Sequence, residues 1–145
     1  MQRTIITGNR LLATIALVIA VSAGVATAQV KKGKSRSLQT GQWMRGVVKP
    51  HCEAIKKGLE TAPADDKAWQ GLAVNAAVLN ETSFILMDDG RCPDGVWANA
   101  STKTLRLGTA DLLAAIEKKD ATEAKAAFGR LAASCKECHE KHKEK

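Results

Sequence analysis

The helical spacing of apolar residues, which continues from residue 37 to the end of the chain, is the feature that most limits how the protein can fold. In four segments apolar side chains recur every three or four positions, and this spacing places them on one face of an α-helix. No stretch alternates apolar and polar residues for long enough to form a strand. Short connections force neighbouring helices to run antiparallel. We therefore predict an all-α domain over residues 37–145, folded as an antiparallel up-down-up-down four-helix bundle.

Proline and acidic residues mark where the first two predicted helices bend or begin. The first helix covers about 37–59 and contains Pro50, which removes one hydrogen bond and presses on the carbonyl group of Gly46. A kink is expected there. The second helix starts after Pro63 and extends to about residue 87. Its apolar stripe is predicted to contain Trp69, Leu72, Leu79 and Leu86.

A loop with the composition Asp-Asp-Gly-Arg-Cys-Pro-Asp-Gly occupies residues 88–95 and separates the second helix from the third. The third helix is predicted over 96–118. Asp120 and Glu123 have the spacing of a capping box and predict the start of the fourth helix. The face of this helix that points inward is predicted to carry Ala124, Phe128, Leu131, Cys135 and His139.

Residues 1–28 have the pattern of a secretory signal peptide. They contain Arg3 and Arg10, no acidic residue, an apolar run at 11–21, and a small-x-small sequence that ends at Ala28. We predict cleavage after Ala28 and export, with a periplasmic location. The alternative is that residues 11–28 remain as an uncleaved anchor, because their length is close to that of a membrane span. No later segment is long and apolar enough to be an integral membrane span.

The net charge of +7 is concentrated before the predicted domain. Two of the 22 basic residues lie in the signal peptide and four lie in 31–36, so residues 37–145 carry 16 bases and 15 acids. Residues 29–36 are predicted to be a disordered basic leader. The alternative is that they attract an anionic membrane surface or an acidic partner. Without a basic stripe on the domain, nothing favours binding to nucleic acid.

Near the C-terminus, Cys135, Cys138 and His139 form a C-x-x-C-H motif, which is typical of covalent haem attachment in c-type proteins. Two thiols at this spacing can form thioethers with the two vinyl groups of one haem, and the adjacent imidazole can bind the iron as proximal ligand. We predict one covalent haem c. A dithiol redox pair is less consistent with the motif, because such pairs usually begin a helix in a βαβ fold. A zinc site with His139 or His142 is also disfavoured, because structural zinc usually takes ligands from two separated elements.

The sequence at 126–139, AAFGRLAASCKECH, is similar to the last helix of the class II c-type cytochromes, the cytochrome c-prime family with its low-spin relatives. Trp97 resembles the aromatic residue that the family places just before the third helix. One departure is visible three residues after the motif histidine. The family commonly has an aromatic residue there with a basic residue next to it, and here these are His142 and Lys143.

The resemblance implies that the distal side of the iron is decided by the first helix. An apolar side chain there leaves the iron five-coordinate, and a methionine makes it six-coordinate. Met44 lies at about the matching position and is the favoured distal iron ligand, with His51 as the rival and an apolar or open site as the third alternative. Methionine opposite histidine raises the reduction potential, which suits electron transfer. Met44 can also be interpreted simply as a core side chain.

These features predict a monohaem electron carrier that exchanges electrons with redox partner proteins and is not an enzyme. The alternative function is a five-coordinate, cytochrome c-prime-like protein that binds nitric oxide or another gas. Cys52 and Cys92 have no haem role, and an exported location favours a disulfide between them. Free buried thiols are the other interpretation of this pair. Whether the bundle forms a homodimer is left open.

Overall fold

A computed structural model describes residues 33–143 of the protein; the predicted signal peptide and residues 29–32 of the predicted leader lie outside the described residues. The described part consists of four helices and contains no strand. Helices α1 and α3 are continuous but each contains a π-helical segment. Their bounds are Thr40–Trp43, Met44–Val48 (π) and Lys49–Gly58 for α1, Asp66–Ile85 for α2, Gly95–Asn99, Ala100–Leu107 (π) and Gly108–Glu117 for α3, and Ala121–His142 for α4.

The four predicted helices are confirmed, and the arrangement is consistent with a four-helix bundle. The antiparallel up-down-up-down order stays a prediction. Aspartate side chains begin three of the helices, because each accepts a hydrogen bond from the free backbone N–H three residues later. The bonds run from Ala68 N to Asp65 at 2.8 Å, from Trp97 N to Asp94 at 3.0 Å and from Glu123 N to Asp120 at 2.9 Å.

The interruption predicted at Pro50 is present as the π-helical segment Met44–Val48. Pro50 has no N–H to donate to the carbonyl group of Gly46, so the α-helical hydrogen-bond pattern cannot continue through this turn. The N–H of Lys49 instead donates to the carbonyl oxygen of Met44, five residues earlier. Such wide turns are often found at functional sites.

The core is a single apolar cluster to which all four helices contribute. Trp69, Leu72, Leu79 and Leu86 are buried, as their spacing predicted. α1 packs closely on α2 at Gly58, where an added Cβ would lie 2.8 Å from Leu72 Cδ2. The buried apolar residues are Ile55, Leu59, Trp69, Leu72, Ala76, Leu79, Leu86, Trp97, Leu105, Leu112, Ala115, Ile116, Ala124, Ala127 and Leu131.

The second π-helical segment, Ala100–Leu107, was not predicted. Its widened turn is stabilised from α2, where the Asn80 side chain donates to the carbonyl oxygen of Arg106 at 3.0 Å and to the Thr109 hydroxyl at 2.8 Å. The Thr109 hydroxyl in turn donates to the Leu105 carbonyl at 2.7 Å. Buried polar groups therefore have partners at this point of the core.

The buried face of α4 differs from the predicted one. Ala124 and Leu131 are buried as expected, but Phe128 and Cys135 are only half-buried and His139 is exposed. The buried stripe instead includes Ala127 and, at the end of the helix, His142. The reason is the helical repeat: at about 100° per residue, His142 lies about 20° from Leu131 around the helix axis, whereas His139 lies about 80° from it and so falls at the edge of the buried stripe. No helix among residues 33–143 has the length and apolar character needed to cross a membrane.

Candidate haem site

A cavity of about 550 Å³ lies between the first turns of α1, the start of α3 and the last turns of α4. Its volume is within the range of small-molecule and cofactor sites in proteins. Residues from both ends of the described chain contribute to its wall, so the site depends on the tertiary fold. The lining residues are Gln39, Thr40, Gly41, Met44, Arg45, Lys49, Trp97, Cys138, His139, His142 and Lys143.

Two of the three motif residues, Cys138 and His139, line this cavity. Partial desolvation of the ring at the cavity wall, together with Lys143, lowers the pKa of His139, which favours the neutral imidazole that binds metals. Cys135 is not among the lining residues. It lies one turn earlier on α4, where its Sγ contacts the carbonyl oxygen of Leu131 at 3.2 Å.

The two motif thiols have the opposite electrostatic character from a dithiol redox site. Burial is the main cause that raises the pKa of Cys138 to about 11, and burial also raises the pKa of Cys135. Reactive dithiols have lowered pKa values and usually lie at a helix N-terminus, whereas these lie near the end of α4. The structure therefore gives no support to the dithiol interpretation.

Met44 lines the same cavity as His139, although 95 positions separate them in the sequence. It is the first residue of the π-helical segment of α1 and is half-buried. The neighbouring Trp43 fixes this turn to α2, because its indole N–H donates to the Thr82 hydroxyl at 3.2 Å. The fold thus brings together one predicted iron ligand from α1 and one from α4.

His51, the rival ligand, is not among the residues that line the cavity. Its Nδ1 is 2.7 Å from Asn75 Oδ1 on α2. Asn75 is itself held in place, because its Nδ2 donates to the carbonyl oxygen of Gly71 at 2.6 Å. The His51 ring is therefore engaged with α2 rather than with the cavity.

The disulfide predicted between Cys52 and Cys92 is not found, since all four cysteines are free thiols. Cys52 lies on α1 close enough to Cys135 for the two thiols to interact electrostatically. Burial, assisted by that interaction, raises the pKa of Cys52 to about 11. The Sγ of Cys92 instead contacts the carbonyl oxygen of Asp94 within the loop, at 3.4 Å. The prediction rested on the oxidising environment of an exported protein alone. A sequence does not show in which direction each thiol points.

Asp94, His142 and Trp97 form a cluster at one wall of the cavity that sequence reasoning identified only in part. The His142 ring meets the Trp97 ring edge-on, with the ring centroids 5.4 Å apart. The His142 Nε2 lies 3.3 Å from Asp94 Oδ1, and Lys141 Nζ lies 2.8 Å from Asp94 Oδ2. The sequence marked Trp97 and His142 through the family resemblance. It marked Asp94 only as a loop residue, because a contact 47 positions away leaves no local signal.

The hydrogen bond from Lys141 and that from the backbone N–H of Trp97 hold the pKa of Asp94 well below its usual range. The carboxylate is therefore ionised over the whole neutral range and can act on α4 as a fixed negative charge. Between residues 33 and 143, no group of three or more His, Cys, Asp or Glu side chains has the arrangement of a metal site. A zinc site built from the motif residues thus has no ligand cluster in the described part of the chain.

The fold and the cavity together define the class of protein. It is an all-helical domain in which a haem-attachment motif on the last helix lies at a cavity that the first helix also lines. The model of the family described as Cytochrome C' matches residues 89–143, which include the loop before α3, α3 itself and α4. This match supports the resemblance to the class II, cytochrome c-prime-like family over residues 89–143. No curated protein and no solved structure matches the chain significantly.

The family match implies haem c as the cofactor, and the chemistry of the cavity fits that group. The cavity is lined by the thiol of Cys138, the imidazole of His139 and the thioether of Met44. The aromatic ring of Trp97 lines it too. Arg45, Lys49 and Lys143 are the charged residues of the lining, and all three are cationic. Cationic side chains complement the two carboxylates that a haem carries.

Proposed function

We propose that this protein is an exported monohaem c-type cytochrome that binds haem and transfers one electron at a time, without enzymatic activity. The observation that carries the proposal is the cavity in which Met44 of α1 and His139 of α4 both take part. Histidine and methionine as axial ligands are characteristic of electron-carrier cytochromes and raise the reduction potential. The family match to residues 89–143 supports the haem-binding part of this proposal.

Cys135 and Cys138 would hold the group through thioethers, His139 would bind the iron on one side and Met44 on the other. When bound, haem c supplies an iron that takes up and releases a single electron. Arg45, Lys49 and Lys143 would offset the negative charge of the two haem carboxylates.

The proposed location is periplasmic, with the signal peptide removed after Ala28, and the proposed partners are redox proteins. The support for export is the signal-like pattern of residues 1–28. Attachment through C-x-x-C-H also fits an exported protein. Mass spectrometry of the mature protein would test both points, because cleavage after Ala28 leaves Gln29 as the first residue and one attached haem adds its own mass.

A five-coordinate protein that binds nitric oxide or another gas is the second candidate. The family match does not distinguish it from the carrier, because the matched residues 89–143 do not include Met44. The match therefore carries no information about the distal side of the iron, which is where carriers and gas-binding proteins differ.

The optical spectrum of the holoprotein separates the two functions. Protein produced together with cytochrome maturation machinery is examined oxidised, reduced, and reduced under carbon monoxide. A low-spin reduced spectrum that carbon monoxide does not change supports the carrier. A high-spin spectrum that shifts with carbon monoxide supports the gas-binding candidate, and the lack of any haem band would exclude both.

Replacing Met44 by Ala should convert low-spin iron to high-spin iron that binds carbon monoxide, because the thioether is removed from the cavity wall. His51→Ala should leave the spectrum unchanged, since His51 is engaged with Asn75. Met87→Ala is the matched control, a half-buried methionine packed against the core and outside this cavity. If His51→Ala produces the high-spin form and Met44→Ala does not, the ligand assignment is wrong.

A further inference from the structure

Residues 88–94, the bridging loop between α2 and α3, bond to the chain just before and at the start of α1 and to the end of α4. We infer that this loop positions Met44 relative to His139, with Arg91 and Asp94 as its two positioning residues. The inference rests on the proposed function, in which Met44 and His139 bind the iron from opposite sides. Neither residue touches the reacting atoms, so each would act through the helix that it holds.

On the α1 side, the loop binds the chain that leads into the helix. The Asp89 carboxylate accepts hydrogen bonds from the backbone N–H groups of Ser35 and Arg36, at 2.9 Å and 3.0 Å. The hydroxyl of Ser35 adds a third bond to Asp89, at 2.8 Å. Gly33 lies so close that an added Cβ would clash with the Asp89 carboxylate.

Arg91 extends this attachment to the first turn of α1. Its side chain is buried, with only 2% of its surface exposed, and one guanidinium nitrogen donates to the carbonyl oxygen of Leu38 at 2.8 Å. A second nitrogen lies 3.4 Å from the Thr40 hydroxyl, in the first residue of the helix. Met44 follows Thr40 by four residues, which is about one helical turn. Arg91 therefore fixes the helix end from which Met44 enters the cavity.

On the α4 side, Asp94 holds the turn that follows the motif histidine. Its carboxylate caps α3 through the N–H of Trp97 and also contacts Lys141 and His142. Trp97 is in turn fixed to α2, because its indole N–H donates to the carbonyl oxygen of Leu86 at 2.7 Å. The last turn of α4 is thus connected through Asp94 to the beginning of α3.

The bridging loop matters because α1 and α4 make few direct contacts with each other, whereas successive helices pack extensively. The backbone of the loop includes left-handed conformations at Asp89 and Gly90, with φ values of 57° and 71°. Such a conformation is uncommon for a residue other than glycine and persists where surrounding contacts enforce it. A loop held in this way can set the distance between two helices that scarcely touch.

Two substitutions test the inference on the holoprotein. Arg91→Ala removes the bonds to Leu38 and Thr40, and Asp94→Asn keeps an N-cap for α3 while it removes the charge that faces Lys141. Each should increase the fraction of reduced iron that binds carbon monoxide by roughly tenfold, given the strength of a hydrogen bond to a charged group. Arg91→Lys retains the charge and one donor and should restore part of the wild-type behaviour.

The controls are chosen to match the changes in chemistry. Asp65→Asn alters an N-cap that faces α2 only, and Arg130→Ala removes an exposed arginine that pairs with Glu123 on its own helix. Neither should change the response to carbon monoxide. A spectrum of Arg91→Ala and Asp94→Asn identical to that of the controls would overturn the inference.

Hydrogen–deuterium exchange provides a readout that does not depend on which ligand the iron has. Arg91→Ala should speed exchange in residues 38–44, and Asp94→Asn should speed it in residues 138–143, while α2 stays protected. If the wild-type protein itself binds carbon monoxide, the proposed function fails, and the exchange pattern still decides whether the loop holds the two helix ends. Uniformly faster exchange in α2 would mean general destabilisation and would contradict the inference.

Discussion

At the scale of single residues, the charge on Asp89 has a consequence for stability that depends on pH. The backbone hydrogen bond from Arg36, followed by that from Ser35, lowers the pKa of Asp89 to about 2. A carboxylate whose pKa is lowered by folding stabilises the native state at pH values above its unfolded pKa of about 4. This contribution is lost as the pH falls from about 4 toward 2.

Asp89→Asn should therefore make the protein less stable at neutral pH. Below about pH 4 the free energy of unfolding of the variant should fall less steeply with pH, because unfolding takes up as much as about one proton fewer than in the wild type. Asparagine tolerates the left-handed backbone, so the effect of the charge is isolated from strain. Denaturant unfolding followed by circular dichroism at a series of pH values measures both quantities. Asp120→Asn, which keeps an N-cap on α4, is the control. Parallel stability curves for the wild type and Asp89→Asn would show that the Asp89 contacts contribute nothing to this dependence.

At the scale of the element, α1 shows how a helix can be shaped by one residue that cannot donate a hydrogen bond. Pro50 follows the π-helical segment Met44–Val48, whose widened turn carries Met44 into the cavity wall. A regular α-helix across the same residues would change the angular position of Met44 relative to Ile55, which anchors α1 in the core. The ligand position and the proline are therefore linked.

Pro50→Ala should restore the missing donor and let α1 return to regular α-helical geometry. The gain in stability is at most about 3 kcal/mol, the usual cost of a proline inside a helix. Met44 should at the same time leave its position, so the reduced protein should gain a fraction that binds carbon monoxide. Thermal unfolding and the carbon monoxide spectrum test the two effects together, with Pro63→Ala before α2 as the control. A more stable variant whose spectrum is unchanged would separate Met44 from the π-helical segment.

The existence and extent of the helices could be predicted from sequence because apolar periodicity and capping residues are local signals. Trp69, Leu72, Leu79 and Leu86 were placed in the core correctly on that basis. The face of α4 was misjudged, since periodicity alone does not tell which of two adjacent stripes meets a neighbouring helix. The family resemblance singled out Met44, but neither it nor the residue spacing gave a way to know that Arg91 and Asp94 bind helices far away in the chain.

At the scale of the whole molecule, charge is distributed unevenly over a nearly neutral domain. Arg45, Lys49 and Lys143 line the cavity, and no acidic residue of the described chain is among the lining residues. Charge of one sign around an opening attracts molecules of the opposite sign and raises their rate of encounter. The proposed redox partners should therefore present an acidic surface to this opening.

Oxidation of the reduced protein by small reagents of opposite charge tests this at low salt. An anionic oxidant such as ferricyanide should react faster as ionic strength falls, and a cationic cobalt complex should react more slowly. The double variant Arg45→Glu with Lys49→Glu should slow the anionic reaction by at least about tenfold. Lys56→Glu with Lys57→Glu changes the net charge equally at exposed positions outside the cavity and serves as the control. Equal effects of the two double variants would mean that only net charge matters.

The residues of the cavity come from two parts of the chain with different relationships to known proteins. The family match covers 89–143, which carries the attachment motif, whereas Met44 belongs to α1 outside it. If haem is bound as proposed, a change confined to α1 would alter the distal side of the iron, while the attachment residues on α4 would stay the same. Under the proposed function, single substitutions in α1 would be enough to convert an electron carrier into a gas-binding protein while the haem attachment on α4 stays the same.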